Sequence, residues 1–316
     1  VDSDKNILAH IIYSQIPEHQ KYGGVVPEIA ARHHLENINE VVDEALAEAG
    51  VTLKDIDLIG VTHGPGLVGA LLIGVVTAKA IAYAADIPIV GDHHIMGHVS
   101  ANFIQHKELE PPFTALIVSG GHTNIAKMES YTECHVLGGT RDDAVGEAYD
   151  KVARVLGLGY PGGPKVDKIA KEGNPEAIHF KRVLLEKDSL DFSFSGLKTA
   201  VLNYINTEKQ AGREINRADV AASFQQAVID VIAEKTIGAA KSMGYGKLAL
   251  AGGVASNSKL RATLEKACAD NNIEIYIPSP VLCTDNAAMI GCAAYYKYMA
   301  GERGDIDMDA YANLPL

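Results

Sequence analysis

Cysteine is scarce in this chain. There are four in 316 residues, Cys134, Cys268, Cys283 and Cys292, and no two form a C-x-x-C pair. That spacing argues against a disulfide framework and makes the thiols small buried hydrophobes, in keeping with a reducing cytoplasm. Basic residues are in deficit as well, 28 Lys and Arg against 40 Asp and Glu, a net charge of −12. An acidic surface repels nucleic acid at long range, so any RNA contact must rest on a local patch or a basic partner. No signal peptide is visible. The most apolar run, Ala70 to Ala85, carries Lys79, is short for a bilayer span and is expected as a buried helix. Fixed-period repeats and low-complexity segments are absent. Neither the P-loop pattern nor a G-x-G-x-x-G fingerprint is read in the chain, which disfavours those two folds.

What is present is an α/β alternation with 47% hydrophobic residues and 30 glycines. Ile7 to Gln15 is a strand-like run. Pro27 to Ala49 has apolar residues at helical spacing and Gly50 as its stop. Ile56 to Thr62 and Ile87 to Val90 read as strands, and Asp92 as the N-cap of a helix from His93 to Ile104. From Pro111 a second series begins. It holds strands at Thr114 to Ser119, Thr123 to Glu129, Lys247 to Ala251 and Glu274 to Ile277. Its helices are near Asp143 to Leu156, Asp219 to Met243, Lys259 to Asn271 and Asn286 to Met299, with a rigid loop from Gly157 to Pro164. This pattern implies sheets covered by helices, in two lobes, residues 1–110 and 111–316, with the last helix able to pack back on the first lobe.

Two groups of residues carry chemistry. His94 and His98 stand at i and i+4, one face of a helix, where both imidazoles can reach one ion. Chance spacing explains such a pair about as well, and a transition metal needs a further ligand. Asp285 is the candidate, although an aspartate just before an apolar helix is more often its N-cap. Ile95 stands where a zinc protease H-E-x-x-H motif has its glutamate, which argues against peptide hydrolysis. The second group is three Gly-Gly turns at the ends of apolar runs: Ser119-Gly120-Gly121, Pro161-Gly162-Gly163 and Gly252-Gly253. There, backbone N–H groups can meet phosphate and bare backbone can meet a flat base. Asp143, Glu147 and Asp150 share a helix face, either as a solvated surface or as ribose-binding carboxylates. Asp191 to Thr199 alternates aromatics and serines, as a core strand with one polar face or as a lid.

These motifs, with Tyr22 to Glu28, Gly64 to Leu71 and Cys283-Thr284-Asp285-Asn286, resemble in order and spacing the TsaD family of tRNA N6-adenosine threonylcarbamoyltransferases, once described as glycoprotein endopeptidases. The resemblance covers nearly the whole chain. It implies the two-lobed actin, heat-shock chaperone and sugar-kinase fold, ribonuclease-H-like lobes with a nucleotide cleft between them. It also implies transfer of the threonylcarbamoyl group from threonylcarbamoyl-AMP to N6 of adenosine 37 in tRNAs that read codons beginning with A. By motif position His94, His98 and Asp285 would hold one divalent metal, Fe2+ or Zn2+. Ile117, Val118, Ser119, Gly120, Gly121, Asp150, Gly163, Asp167 and Asn257 would hold the adenylate, in a pocket open to other adenine nucleotides. The implied partners are tRNA and, in a bacterium, a TsaB-like paralogue and a TsaE-like ATPase. A stand-alone homologue of the mitochondrial matrix would instead be a homodimer. Family members usually begin with a strand and phosphate-facing turn, which are expected upstream of residue 1. A basic cluster, Lys181, Arg182, Lys187 and Lys198, is a candidate RNA patch against the alternative of a solvated face. The other readings are a non-catalytic nucleotide-binding paralogue, which should have lost the metal ligands, and a kinase, for which no catalytic base is identifiable.

Overall fold

The computed structural model describes residues 1–183, 186 and 189–316. The chain divides into two units. The first comprises Val1–Pro111, Met128–His135 and Val281–Leu316, the second Pro112–Lys127 and Val136–Pro280.

The first unit opens with a short helix, α1 (Ile16–Gln20), and a long one, α2 (Pro27–Ala49), with Pro27 in its first turn and Gly50 as its left-handed stop. Then follow β1 (Ile59–Gly64), α3 (Val68–Ala85), β2 (Ile89–His93) and α4 (His94–Gln105). β1 and β2 pair in parallel, Ile59 opposite Ile89, as a two-stranded sheet with α3 as the crossover. Three expectations fail here. Residues 7–15 form no strand, because a strand needs a neighbour's backbone groups and, among the described residues, β1 and β2 pair only with each other. Helix α3 is not buried. It is apolar on every side, but only Val75, Ala78 and Ala82 pack inward, while Leu72, Val76 and Tyr83 are exposed. At 18 residues it is also long and apolar enough for a minimal bilayer span, so its length excludes nothing. Asp92 is not the N-cap of α4. His93 is, its Nδ1 accepting from the Ile95 N–H at 3.1 Å.

The second unit holds β3 (Phe113–Val118), β4 (Thr123–Met128), β5 (Cys134–Gly139), α5 (Val145–Val155), α6 (Gly162–Ala170), α7 (Ser195–Gln210), α8 (Arg217–Met243), β6 (Lys247–Ala251), α9 (Ser258–Asp270) and β7 (Glu274–Tyr276). Its sheet runs β5-β4-β3-β6-β7, with the β3–β6 and β6–β7 pairs parallel. The hairpin tip 128–135 groups with the first unit. The Gly157 to Pro164 loop is shorter than expected, because α6 starts at Gly162 with Pro161 as its extended N-cap. The chain closes with α10 (Pro280–Cys283) and α11 (Ala287–Met299), the latter back in the first unit.

The Asp191 to Thr199 motif is a core element with one polar face. Phe192 and Phe194 are buried and stacked 5.9 Å apart, and Phe192 bridges to Thr140. Asp142 accepts from the Phe194 and Ser195 N–H groups, at 2.9 and 3.2 Å, and from Ser193 Oγ, which secures the start of α7. Cys268, Cys283 and Cys292 are buried, and burial pushes the Cys292 thiol up to about 12, so it remains an inert hydrophobe.

The ends of β3 and β6 lie side by side, and only glycine fits where they cross. Gly252 has φ +92°, and a Cβ there would run into the Val118 carbonyl. Gly252→Ala is expected to destabilise the chain by about 3 kcal/mol, from left-handed strain plus the clash. Urea unfolding monitored by circular dichroism checks this, and a loss below about 1 kcal/mol would contradict it.

Candidate functional site

The first unit brings the three candidate metal ligands together. Helical spacing puts the rings of His94 and His98 on one face of α4, centroids 4.6 Å apart. Asp285 sits between α10 and α11. Asn286, not Asp285, caps α11: its side chain accepts from the Met289 N–H at 2.9 Å and donates to the Thr284 carbonyl at 2.8 Å. The capping duty therefore falls on the neighbour and Asp285 is free. Its Oδ1 lies 3.5 Å from His94 Nε2 and 3.3 Å from His98 Nε2.

The close approach of α4 and α11 makes this meeting geometrically feasible. Gly97 lies on α4 between the two histidines. A Cβ there would stand 2.5 Å from Ile290 Cδ1 and 3.3 Å from Met289 Cγ, both on α11. A side chain at 97 would therefore crowd the helix that follows Asp285.

Electrostatics favours a cation. His98 is only 1% exposed, and both its ring nitrogens are buried without a hydrogen-bond partner. Its Nε2 faces the Asp285 carboxylate at 3.3 Å. Unpartnered buried nitrogens are costly unless something binds them. Desolvation pushes the Asp285 carboxyl up, but its side chain is 80% exposed. The imidazoles of His98 and His94 prevail and hold it down at about 2. Donors bonded to a tetrahedral ion at roughly 2.0–2.1 Å stand about 3.3–3.4 Å apart, which the two observed separations match. Two imidazoles and a carboxylate suit zinc or ferrous iron, and three ligands leave a coordination position for substrate.

In the second unit, the nine residues expected at the adenylate lie at the end of β3 and the turn after it, on α5 and α6, and at the N-cap of α9. Ile117 and Val118 are the buried end of β3. Ser119, Gly120 and Gly121 form the turn after it, with Ser119 Oγ accepting from the His122 N–H. The first turn of α5 rests on this loop, where a Cβ on Gly146 would meet the Ser119 carbonyl at 2.6 Å. One turn along α5, Asp150 accepts from the Gly162 N–H at 2.7 Å, next to Gly163. On α6, Asp167 accepts from Ser258 Oγ at 3.0 Å, and Asn257 caps α9 while donating to Gln225 Oε1 at 2.8 Å. A cavity of about 300 Å³ opens beside these last two, lined by their partners Ser258 and Gln225 and by Gln226, Lys171 and Lys259. None of the nine expected residues lines it.

Asp143 and Glu147, grouped with Asp150 by spacing, have another role. Both pair with Lys151, and Asp143 also pairs with Lys198. Two members of the candidate basic cluster are likewise paired with acids, while Lys181 is exposed. Lys198 is paired, Arg182 is bound to Asp230 at 2.7 Å, and Lys187 lies outside the described residues. Gln225, Ser258 and the cavity lysines escaped the sequence reading, because a polar residue on a long amphipathic helix looks like any solvated one. So did a real G-x-G-x-x-G spacing at Gly64, Gly66 and Gly69, between β1 and α3. It is no dinucleotide site. The C-terminal segment covers it, with the Gly66 N–H donating to the Ala312 carbonyl and the Tyr311 N–H to the His63 carbonyl.

The model of the TsaD family, tRNA N6-adenosine threonylcarbamoyltransferase, matches residues 6–292. The chain belongs to this family. It is 60% identical to the tRNA N6-adenosine threonylcarbamoyltransferase of Clostridium botulinum, over all of this chain and 93% of that one. It is 57% identical to that of Clostridium kluyveri, over 98% and 91%. Among solved structures, T. kodakarensis HypF superposes with a TM-score of 0.65 at 16% identity, over 84% of this chain and 44% of that one. Full-length HypF superposes at 0.60 and 14%, over 83% and 41%. The chain thus spans under half the length of those two structures, and the likeness shows the fold alone. It is the α/β class expected from the TsaD motifs.

Burial raises the Asp150 carboxyl above its usual 3.8, against the Gly162 N–H and the charge of Arg154. A raised carboxyl binds its proton more tightly when folded, so stability falls as pH rises from about 4 through the folded value. Asp150→Asn should therefore gain stability relative to the parent chain as pH increases across that window. A difference that stays flat, or shrinks, in unfolding measured from pH 4 to 8 would contradict the burial of this carboxylate.

Proposed function

We propose that this TsaD-family chain transfers the threonylcarbamoyl group from threonylcarbamoyl-AMP to N6 of adenosine 37 of tRNAs that read codons beginning with A. The observation that carries this reading is the meeting of His94, His98 and Asp285 in a chain matched by the family from residue 6 to residue 292. In the reaction the adenine amine attacks the carbamoyl carbon, a C–N bond forms, the bond to the AMP oxygen breaks, and the amine loses a proton. The donor is already a mixed anhydride, so no protein nucleophile is needed, and orienting a weak amine is most of the task.

His94, His98 and Asp285 would hold the divalent ion, Fe2+ or Zn2+. Such an ion supplies Lewis-acid polarisation of an acyl oxygen. The second unit would hold the adenylate. Gly120 and Gly121 of the turn offer backbone N–H groups to its phosphate, and Asp150 and Asp167 offer carboxylates to its ribose hydroxyls. Asn257 and the cavity beside it suit the base, and other adenine nucleotides fit the same chemistry. Lys171 and Lys259 add positive charge at the cavity wall.

The partners proposed are those of the bacterial family, a TsaB-like paralogue and a TsaE-like ATPase in the cytoplasm. The exposed apolar residues of α2 and α3, Leu35, Leu72, Val76 and Tyr83, support a protein partner on the first unit.

The experiment combines the chain with threonylcarbamoyl-AMP, unmodified tRNA and those partners, and analyses the nucleosides by mass. Threonylcarbamoyladenosine should appear, and should fall at least about 100-fold on chelation or in Asp285→Ala. Absence of product, with ion and adenylate both shown to bind, would refute the transferase reading in favour of a non-catalytic paralogue. Undiminished turnover in Asp285→Ala would refute the metal's part.

A further inference from the structure

The first turn of the metal-binding helix is tied to α11 by a buried charge pair that the reaction itself does not use. Asp92, the penultimate residue of β2, is fully buried. Its Oδ1 accepts from the His93 N–H at 2.8 Å and lies 3.2 Å from Lys297 Nζ. Lys297 stands near the end of α11, its side chain only 16% exposed, and its Nζ also donates to the Gly91 carbonyl at 3.1 Å. One ammonium on α11 thus grips two consecutive residues of the strand that leads into His94. His93 adds a second restraint. Its Nδ1 accepts from the Ile95 N–H and its Nε2 lies 3.0 Å from the Leu314 carbonyl, so the proton is on Nε2.

The two ends of the metal site sit on separate stretches of chain, the histidines on α4 and the carboxylate at the head of α11. Their spacing is therefore set by how these two helices are held together. Gly97 against Ile290 and Met289 fixes how closely they approach. Lys297 on Asp92 fixes where the start of α4 sits along α11. A surface pair would contribute little to such registration, but a buried pair costs heavily to separate, so it resists sliding.

We propose that Lys297, acting through Asp92 and the Gly91 carbonyl, is a positioning residue for the His94/His98/Asp285 site, and that without it the histidines are no longer presented together to one ion. The proposal rests on the metal reading of that site. It predicts that groups outside the ligand set tune ion affinity, as outer groups do at other metal centres, by about 10-fold or more.

The test uses the full chain loaded with Co2+, whose visible ligand-field bands report coordination number and ligand type. Affinity is read by competition with a chromophoric chelator, and folding of each ion-free variant by thermal unfolding. Lys297→Met is expected to fold, to bind Co2+ at least about 10-fold more weakly and to change the ligand-field bands. Lys297→Arg, which keeps the charge, should restore both. A purely structural role would lower the unfolding temperature and leave the bands and affinity of the folded protein unchanged, and that result would overturn the proposal. If Lys297→Met does not fold, the near-isosteric Asp92→Asn decides. Parental affinity and bands in that variant overturn the proposal, and weakened binding supports it. Failure of the unmutated chain to take up Co2+ would remove the metal reading itself, a result separate from parental behaviour in the variants.

Discussion

Three ligands from two distant parts of the chain can share an ion only if their backbones are held to within a fraction of an ångström, and here that constraint falls on the crossing of α4 and α11. Interiors are too closely packed to deform smoothly, so the helices keep one spacing. Gly97 sets it by omission, leaving room for Ile290 and Met289. Asn286 takes over the capping of α11, which frees the adjacent carboxylate to face the imidazoles. The buried nitrogens of His98, without partners of their own, are the energetic counterpart of this geometry. A cation bound by His94, His98 and Asp285 would offset this cost in polar burial.

The second unit follows a different logic. Parallel strands end on the same side, and the loops after β3 and β6 lie next to each other because those strands are neighbours in the sheet. Ligands of open α/β sheets bind at such carboxyl ends. The side chains at this end are already engaged with one another, Asp150 with Gly162, Asp167 with Ser258 and Asn257 with Gln225. Bonds of this kind fix rotamers in advance, so a ligand meets donors and acceptors that need little reorganisation.

Much of this was legible in the sequence, for identifiable reasons. Helix α2 was bracketed by Pro27 and Gly50, which act locally, and its bounds came out as read. His94 and His98 share a face by helical geometry alone. Asp285 could be only a candidate, because two residue types at the head of α11 compete for the cap and only the fold shows that Asn286 wins. What stayed hidden depends on tertiary neighbours. Ile7 to Gln15 has strand-like composition but, among the described residues, no strand to pair with. Helix α3 is apolar all round, and a sequence cannot say which side will be covered. Gln225 and Lys297 look like ordinary polar residues of amphipathic helices until their partners, Asn257 and Asp92, arrive from elsewhere in the chain. The family motifs added what local physics could not, by linking the glycine turns and the histidine pair into one enzyme.

The most direct measurement of the central claim is X-ray absorption at the zinc edge on the zinc-loaded full chain. If His94, His98 and Asp285 hold the ion, the spectrum will show two imidazole shells and oxygen, all at about 2.0–2.2 Å, with no sulfur. A sulfur shell near 2.3 Å would place the ion on cysteine, and a coordination shell of oxygen alone would place it away from both histidines. Either result would contradict the account.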